Sequence, residues 1–322
     1  MGENRGDKDL NIVGEDGEGP PRRVRVSPFA VGRFAVSNRR FERFVEATGY
    51  KTEAETFGWS FAVEMLIPET VKQTITQAVA AAPWWLPVTG ADWRHPDGPG
   101  TSIQGKGNHP VSQISWADAQ AFCKWSKRGG RLPTEAEWEF AARGGLKRTA
   151  LPWGSQDTPN GKHRMNVWQS GIEGLGERNL YLYGEKALDL IHYFYNHNNT
   201  GEDGFVGTAP VDAYGPQNAY GLYNVVGNVW EWVEDWYSTS HTLGEEFVTK
   251  GGKKKRRVLV DPRGPAQPNE MGAKVKKGGS YLCHKLTCYR YRTSARMMLT
   301  PDSAASNVGF RCVAPFDKEK EI

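Results

Sequence analysis

The sequence predicts a single loop-rich globular domain in which a few short helices accompany short strands, and three observations carry that prediction. At 322 residues with 38% hydrophobic content, the chain can bury one sizeable core, or at most two ordinary ones. Its 12 Trp and 12 Tyr stand beside 37 Gly and 19 Pro, a balance that suits irregular backbone pinned by buried aromatics better than a helical bundle. Amphipathic helical periodicity can be followed in a few short stretches, and Gly, Pro, Asn or Asp interrupts the rest every few residues.

Residues 1–21 are polar and expected to form a flexible arm, after which Arg23-Val24-Arg25-Val26 alternates as a strand does and is expected to begin the core. Ser37-Asn38 precedes Phe41, Phe44 and Val45, whose spacing puts them on one face of a helix that stops at Gly49. A second helix starts at Ser115 with Asp118 completing a capping box, turns Ala119, Phe122 and Cys123 inward, and ends before Gly129-Gly130. A third is announced by Pro133-Thr134 with Glu137, carries Trp138, Ala141 and Ala142, and stops at Gly144-Gly145. Short strands and long loops are left to fill the remainder. The charge run Lys253 to Arg257 lies in a Gly/Lys-rich stretch and is expected as a solvated loop, the alternative being a docking patch for an acidic partner.

A net charge of +4 from 41 basic and 37 acidic residues is too mild for nucleic-acid binding across the whole surface. No apolar run approaches the roughly 18 residues of a membrane span, and Met1 is followed by polar Gly2 to Asp16, which taken literally places the chain in the cytosol. Four cysteines, Cys123, Cys283, Cys288 and Cys312, allow three complete pairings, and spacing alone chooses none of them.

The run Arg131-Leu132-Pro133-Thr134-Glu135-Ala136-Glu137-Trp138-Glu139-Phe140, followed by Arg143-Gly144-Gly145, resembles the signature of the formylglycine-generating enzyme (sulfatase-modifying factor) family. So do Gly221-Leu222-Tyr223-Asn224, Val226-Gly227-Asn228-Val229-Trp230-Glu231-Trp232 and Gly309-Phe310-Arg311-Cys312, in the family's order. The resemblance runs from Met1 to about Ala314. It implies an α+β single domain, 22–316, that varies the C-type-lectin fold with little regular secondary structure, and it leaves 317–322 as a tail. Fold alone does not decide activity, because the superfamily also holds lectin-like modules, iron-dependent sulfoxide synthases and a paralogue without the active cysteines.

The stretch from Gly278 to Arg292 is similar to the catalytic segment of the active members, with Cys283 and Cys288 on its two cysteines. Residues five apart face opposite sides of a strand and stand about 140° apart around a helix, so their sulfurs converge only if Leu282 to Thr287 turn back as a loop. Converged thiolates are soft ligands that select Cu(I), and a two-sulfur site leaves room for a third sulfur from a substrate. The resemblance accordingly implies an O2-dependent copper oxidase. Its substrate would be the cysteine of a C-x-P-x-R motif in an unfolded or extended sulfatase, converted to formylglycine with the help of a thiol reductant. Ser280 and Trp230 match positions near the family's active site; Ser280 is expected to hydrogen-bond substrate or oxygen and Trp230 to shape an O2 pocket, the alternatives being loop capping and core packing. Arg290, Arg292, Arg296 and His284 cluster near the pair in sequence, and their charge is expected to lower the thiol pKa values. For the cysteines, a plain Cys283 to Cys288 disulfide is the bland alternative.

Further features follow from the resemblance. Cys123 and Cys312 match a family disulfide, which implies an oxidising compartment, whereas the positions of a second bridge found in some animal members are Ala142 and Thr293 here. Asn166, Val167, Asp203 and Phe205 match one Ca2+ site, and Asn224, Gly227, Val229 and Glu231 a second, with hard oxygen donors that suit this ion. An insertion of about 170–197, longer than the family's stretch, interrupts the first set, and Asn198-Asn199-Thr200 forms a glycosylation sequon. Met1-Gly2 resembles an internal Met-Gly of the family, so a leader is expected upstream and the lumen of the endoplasmic reticulum is favoured over the cytosol. A non-catalytic binding module and an iron-dependent sulfoxide synthase stand as alternatives. The first fits poorly with a retained cysteine pair, and the second with 7 scattered His.

Overall fold

The computed structural model describes residues 1–2, 16–169, 199–240, 247–250, 253–256, 258–285 and 288–316. Strands β1 (Val24–Arg25) and β2 (Phe29–Val31) precede helices α1 (Asn38–Thr48) and α2 (Glu53–Phe57), strand β3 (Trp59–Val63), the single turn α3 (Glu69–Lys72) and strand β4 (Trp85–Thr89). Helices α4 (Trp116–Ser126) and α5 (Glu135–Arg143) follow, and a long irregular stretch leads to β5 (Trp230–Trp236). The chain closes with β6 (Phe247–Lys250), β7 (Lys253–Arg256), β8 (Leu259–Val260), β9 (Lys274–Lys277), β10 (Arg296–Leu299), β11 (Val308–Gly309) and β12 (Val313–Pro315). The largest sheet has four strands in the order β10-β9-β5-β11, and two-stranded pairs surround it. This is the mixed, loop-rich single domain that the sequence predicts.

Local chemistry explains the three expected helices. In α1, Phe41, Phe44 and Val45 are buried, and Gly49 closes the helix at φ 67° with its N–H on the Val45 carbonyl. Both α4 and α5 open with reciprocal capping boxes, Ser115 with Asp118 and Thr134 with Glu137. The α4 helix stops at Ser126, short of Gly129-Gly130. Gly130 is required for another reason: a Cβ there would come within 2.1 Å of the Cys123 carbonyl oxygen. That close approach brings Arg131 alongside Val313, next to the expected Cys123–Cys312 disulfide, which is present with Cα atoms 5.5 Å apart. A crosslink over 189 residues contributes roughly 2–4 kcal/mol.

Aromatic rings fill the main core. Phe41 stacks on Phe122 of α4 at 5.8 Å and meets Trp93 and Phe310 edge-on at 5.3 and 6.5 Å. The helix face and the C-terminal motif thus pack on each other.

Three expectations are corrected. The residues around Asp16 to Pro21, taken with the flexible arm, are anchored: Glu18 is buried against Arg292, and Asp16 pairs with Arg290. At the other end of that stretch, the Gly2 N–H donates to Glu139 at 2.8 Å. Lys253 to Arg256 forms strand β7, antiparallel to β6, instead of a loop. Val24 is half-buried in a peripheral parallel pair with β8, so the core does not begin at this strand. Residues 3–15, the insertion at 170–197 and Asn198 of the sequon lie outside the described residues.

Between α5 and the sheet lies a cluster of buried charges. Glu135 and Glu139, one helical turn apart, flank Lys277 of β9, whose ammonium is 3.4 and 3.7 Å from them and donates to the Ser294 carbonyl at 3.0 Å. Arg296 of β10 forks onto Glu135 with two contacts of 2.9 Å. On β5, Glu231 receives Arg311 through two contacts of 2.7 Å and the Trp138 indole N–H at 2.7 Å. Burial opposes ionisation of Glu135, but Arg296, Lys277 and Arg22 outweigh it and draw its pKa down to about 2. Asp235, buried with Glu135 beside it, is pushed up to about 7.

Two outcomes follow. Arg311→Met leaves the Glu231 carboxylate buried without its cation and should cost about 3–5 kcal/mol in urea denaturation, with the Glu231→Gln/Arg311→Met double variant costing less than the sum of the single changes. For Asp235 the raised pKa means that the folded protein keeps a proton the unfolded chain has released, so this group's contribution falls as pH rises from about 4 to about 7. Asp235→Asn should therefore gain on the wild type across that window, measured as urea midpoints from pH 4 to pH 8; parallel curves would show the assignment to be wrong.

Candidate active site

The segment that follows β9 must double back if its cysteines are to meet, and glycine makes that possible. Gly278 and Gly279 have φ of 93° and 70°, and a Cβ on Gly279 would fall 2.9 Å from the backbone of Tyr291. The two ends of the segment are thereby pressed together. Its backbone is tied down at Tyr281, whose N–H reaches the Asn228 carbonyl at 2.9 Å, and at Cys283, whose carbonyl accepts from the Trp168 N–H at 3.0 Å. The Cys283 N–H donates to the Ser280 carbonyl at 2.9 Å, and the Cys288 N–H to the His284 carbonyl at 2.8 Å. The cysteines are paired, with Cα atoms 4.8 Å apart. Cys283 is buried and Cys288 half-buried, so the pair is approached from the Cys288 side.

Ser280 is fully buried, and its oxygen accepts from the Leu282 N–H at 3.3 Å and the Asn307 amide at 2.9 Å. Among the described residues its hydroxyl proton has no acceptor. Trp230 is also buried; its N–H donates to the Asn307 carbonyl at 2.8 Å, and the Lys276 ammonium lies 5.0 Å from its ring. Burial, and then Arg290, push Lys276 down to about 7. Asn307 therefore joins Trp230 to Ser280, and its own side-chain oxygen is buried with no partner among the described residues. Sequence reasoning missed this residue, although it stands two positions before the Gly309-Phe310-Arg311-Cys312 motif.

The expected positive field around the thiols is corrected. Arg290 meets Asp16 at 2.6 Å, Arg292 forks onto Glu18 at 2.6 and 2.7 Å, and Arg296 is engaged by Glu135 at 2.9 Å. Each guanidinium faces a carboxylate that offsets its charge. Burial, and then Lys285, push His284 down to about 4, so its imidazole is neutral at physiological pH.

The residues of both expected Ca2+ sets lie on loops, except Glu231, which stands on β5. In the first, Asp203 accepts from the Val167 N–H at 3.0 Å, the Phe205 N–H at 3.0 Å and the Gln169 amide at 2.7 Å. Burial raises its pKa against those hydrogen bonds. In the second, a Cβ on Gly227 would lie 2.6 Å from the Asn166 carbonyl oxygen, so the two sets abut. Val229 is buried beside Glu231, whose carboxylate takes three donors and keeps about one of its roughly four acceptor positions. The side-chain oxygens of Asn166 and Asn224 are both buried without a partner among the described residues. A hard cation is the kind of group that satisfies such oxygens, and these residues fit one.

Comparison with known proteins identifies the family. A family model described as a sulfatase-modifying factor enzyme 1-like domain matches residues 2–315. The chain is 51% identical over 302 residues to a formylglycine-generating enzyme of Mus musculus, covering 94% of this chain and 70% of that protein. It is 49% identical over 311 residues to a formylglycine-generating enzyme of Thermomonospora curvata, covering 96% and 89%. Among solved structures, PvdO from Pseudomonas aeruginosa superposes with a TM-score of 0.56 at 18% identity over 94% of this chain and 87% of that one, which bears on the fold alone. With the family model spanning nearly its whole length and half of its residues shared with these relatives, the chain belongs to the formylglycine-generating enzyme, or sulfatase-modifying factor, family.

Proposed function

We propose that this protein activates sulfatases by converting the cysteine of a C-x-P-x-R motif, in an unfolded or extended client, to Cα-formylglycine. The observation that carries the proposal is the Cys283–Cys288 pair, brought to a Cα separation of 4.8 Å by a doubled-back segment in a chain 51% identical to a formylglycine-generating enzyme. Two thiolates so placed suit Cu(I), which when bound supplies a centre for O2 reduction that can also take the client sulfur.

The remaining chemistry balances without further cofactors. The client Cβ and sulfur give up two electrons and two protons to form a thioaldehyde, water replaces the sulfur, and hydrogen sulfide leaves with the aldehyde in place. Two thiols of the reductant form a disulfide and supply the other two electrons that take O2 to water. This chain's residues serve that reaction by holding and excluding. The Ser280 hydroxyl proton is available to the client or to oxygen, and Trp230, which is buried, would keep water from the O2 that reaches the pair. Neutral His284 adds no charge at the thiols. Two Ca2+ ions, taken by the sets that include Asn166 and Asn224, would brace the loops packed against the catalytic segment. The Cys123–Cys312 bridge supports an oxidising compartment such as the lumen of the endoplasmic reticulum.

The test is mass spectrometry of a C-x-P-x-R peptide incubated in air with Cu(I)-loaded protein and a thiol reductant, beside Cys283→Ser and Cys288→Ser. Aldehyde should form with the wild type and drop by about 10³-fold or more with either variant, as for loss of an obligatory group. A peptide that binds but stays unmodified at full copper occupancy would instead make the protein a binding module.

A further inference from the structure

The residues after Cys288 are held by an acidic stretch from the other end of the chain. The Cys288 carbonyl accepts from the Arg290 N–H at 2.7 Å, and the Tyr289 carbonyl from Arg292 Nε at 2.9 Å. Arg292 is 1% exposed, lies 5.1 Å from the Tyr289 ring centroid, and closes a fork on Glu18, itself 6% exposed. Ser294 donates to the same carboxylate at 3.0 Å. A second, more exposed rung runs from Arg290 to Asp16 at 2.6 Å. A planar guanidinium used on both edges is a rigid bracket: one edge is set by the carboxylate fork, and the other fixes the carbonyl next to the cysteine.

We infer that Glu18 and Arg292 are positioning residues for Cys288: Glu18 orients the Arg292 guanidinium, and Arg292 holds the Tyr289 carbonyl, which sets how Cys288 presents its sulfur to Cys283. Neither residue touches the sulfur chemistry. The inference rests on Cys283 and Cys288 acting as a working pair. It is tested without copper or turnover, so its failure and that of the oxidase proposal are separable.

The full-length protein and its variants are equilibrated in glutathione buffers of graded redox ratio and quenched by alkylation, and Cys283–Cys288 pairing is quantified by peptide mass spectrometry. Glu18→Gln should shift that equilibrium toward the dithiol by about ten-fold or more, as expected when two reacting groups lose their mutual placement. Glu137→Gln is the control: it breaks a comparable fork, to Arg131 at 2.6 Å, away from the segment, and should stay within about two-fold of wild type even if it lowers the melting temperature. Arg292→Lys keeps a buried cation opposite Glu18 but has no Nε for the Tyr289 carbonyl. It should shift the equilibrium the same way, and it decides the matter if Glu18→Gln does not fold. An unchanged equilibrium in the folded variants, or an equal shift in Glu137→Gln, overturns the inference.

Discussion

The carboxylate of Glu231 has no exposure to water, and an ion in that position is tolerable only if the protein supplies its partners. It takes the Arg311 fork and the Trp138 indole N–H. These three residues belong to three separate stretches of chain: helix α5, strand β5 and the turn before β12. Loss of Glu231 or Arg311 leaves a buried charge stranded and displacement of Trp138 leaves its indole N–H without an acceptor, so the three stretches must assemble together. The same turn carries Cys312, whose bond to Cys123 adds helix α4 to the assembly.

From this knot the segment that carries Cys283 and Cys288 inherits its position. Strand β9 pairs with β5 at Glu231 opposite Lys277, and Lys277 is gripped by Glu135 and Glu139 of α5. The strand therefore delivers Gly278 to a fixed point, where its carbonyl accepts from the Gly227 N–H at 2.8 Å. Beyond it, the Gly279 contact with Tyr291 and the Glu18–Arg292 fork close the segment on itself. Buried ion pairs are a poor source of net stability, but they penalise every arrangement that leaves one member alone. In a domain this poor in regular secondary structure, such specificity keeps long loops in register.

The sequence exposed what is local and hid what is distant. Capping boxes at Ser115 and Thr134 and the apolar faces of α1, α4 and α5 are encoded within a few residues, so those helices could be placed with little error. The Thr52 and Glu55 box of α2 is equally local, but a helix of five residues carries too little apolar periodicity to stand out in the sequence. Most strands are two to five residues long, too short for alternation to register. The site was visible as a motif, including the need for a loop between the cysteines, but its electrostatics were not. Arg290, Arg292 and Arg296 look like a positive field in a linear sequence. Their partners Asp16, Glu18 and Glu135 are more than a hundred residues away, and such pairs cannot be found from spacing. Asn307, which joins Trp230 to Ser280, was hidden for the same reason.

The function proposed for this protein depends on Cys283 and Cys288 holding Cu(I) with a position open to a client sulfur. Copper K-edge X-ray absorption on the Cu(I)-loaded protein, with and without a C-x-P-x-R peptide, examines that arrangement directly. The prediction is an all-sulfur shell that gains one sulfur when the peptide is added, and gains none when the peptide cysteine is replaced by serine. A shell built of nitrogen or oxygen, or one that the peptide leaves unchanged, would contradict it.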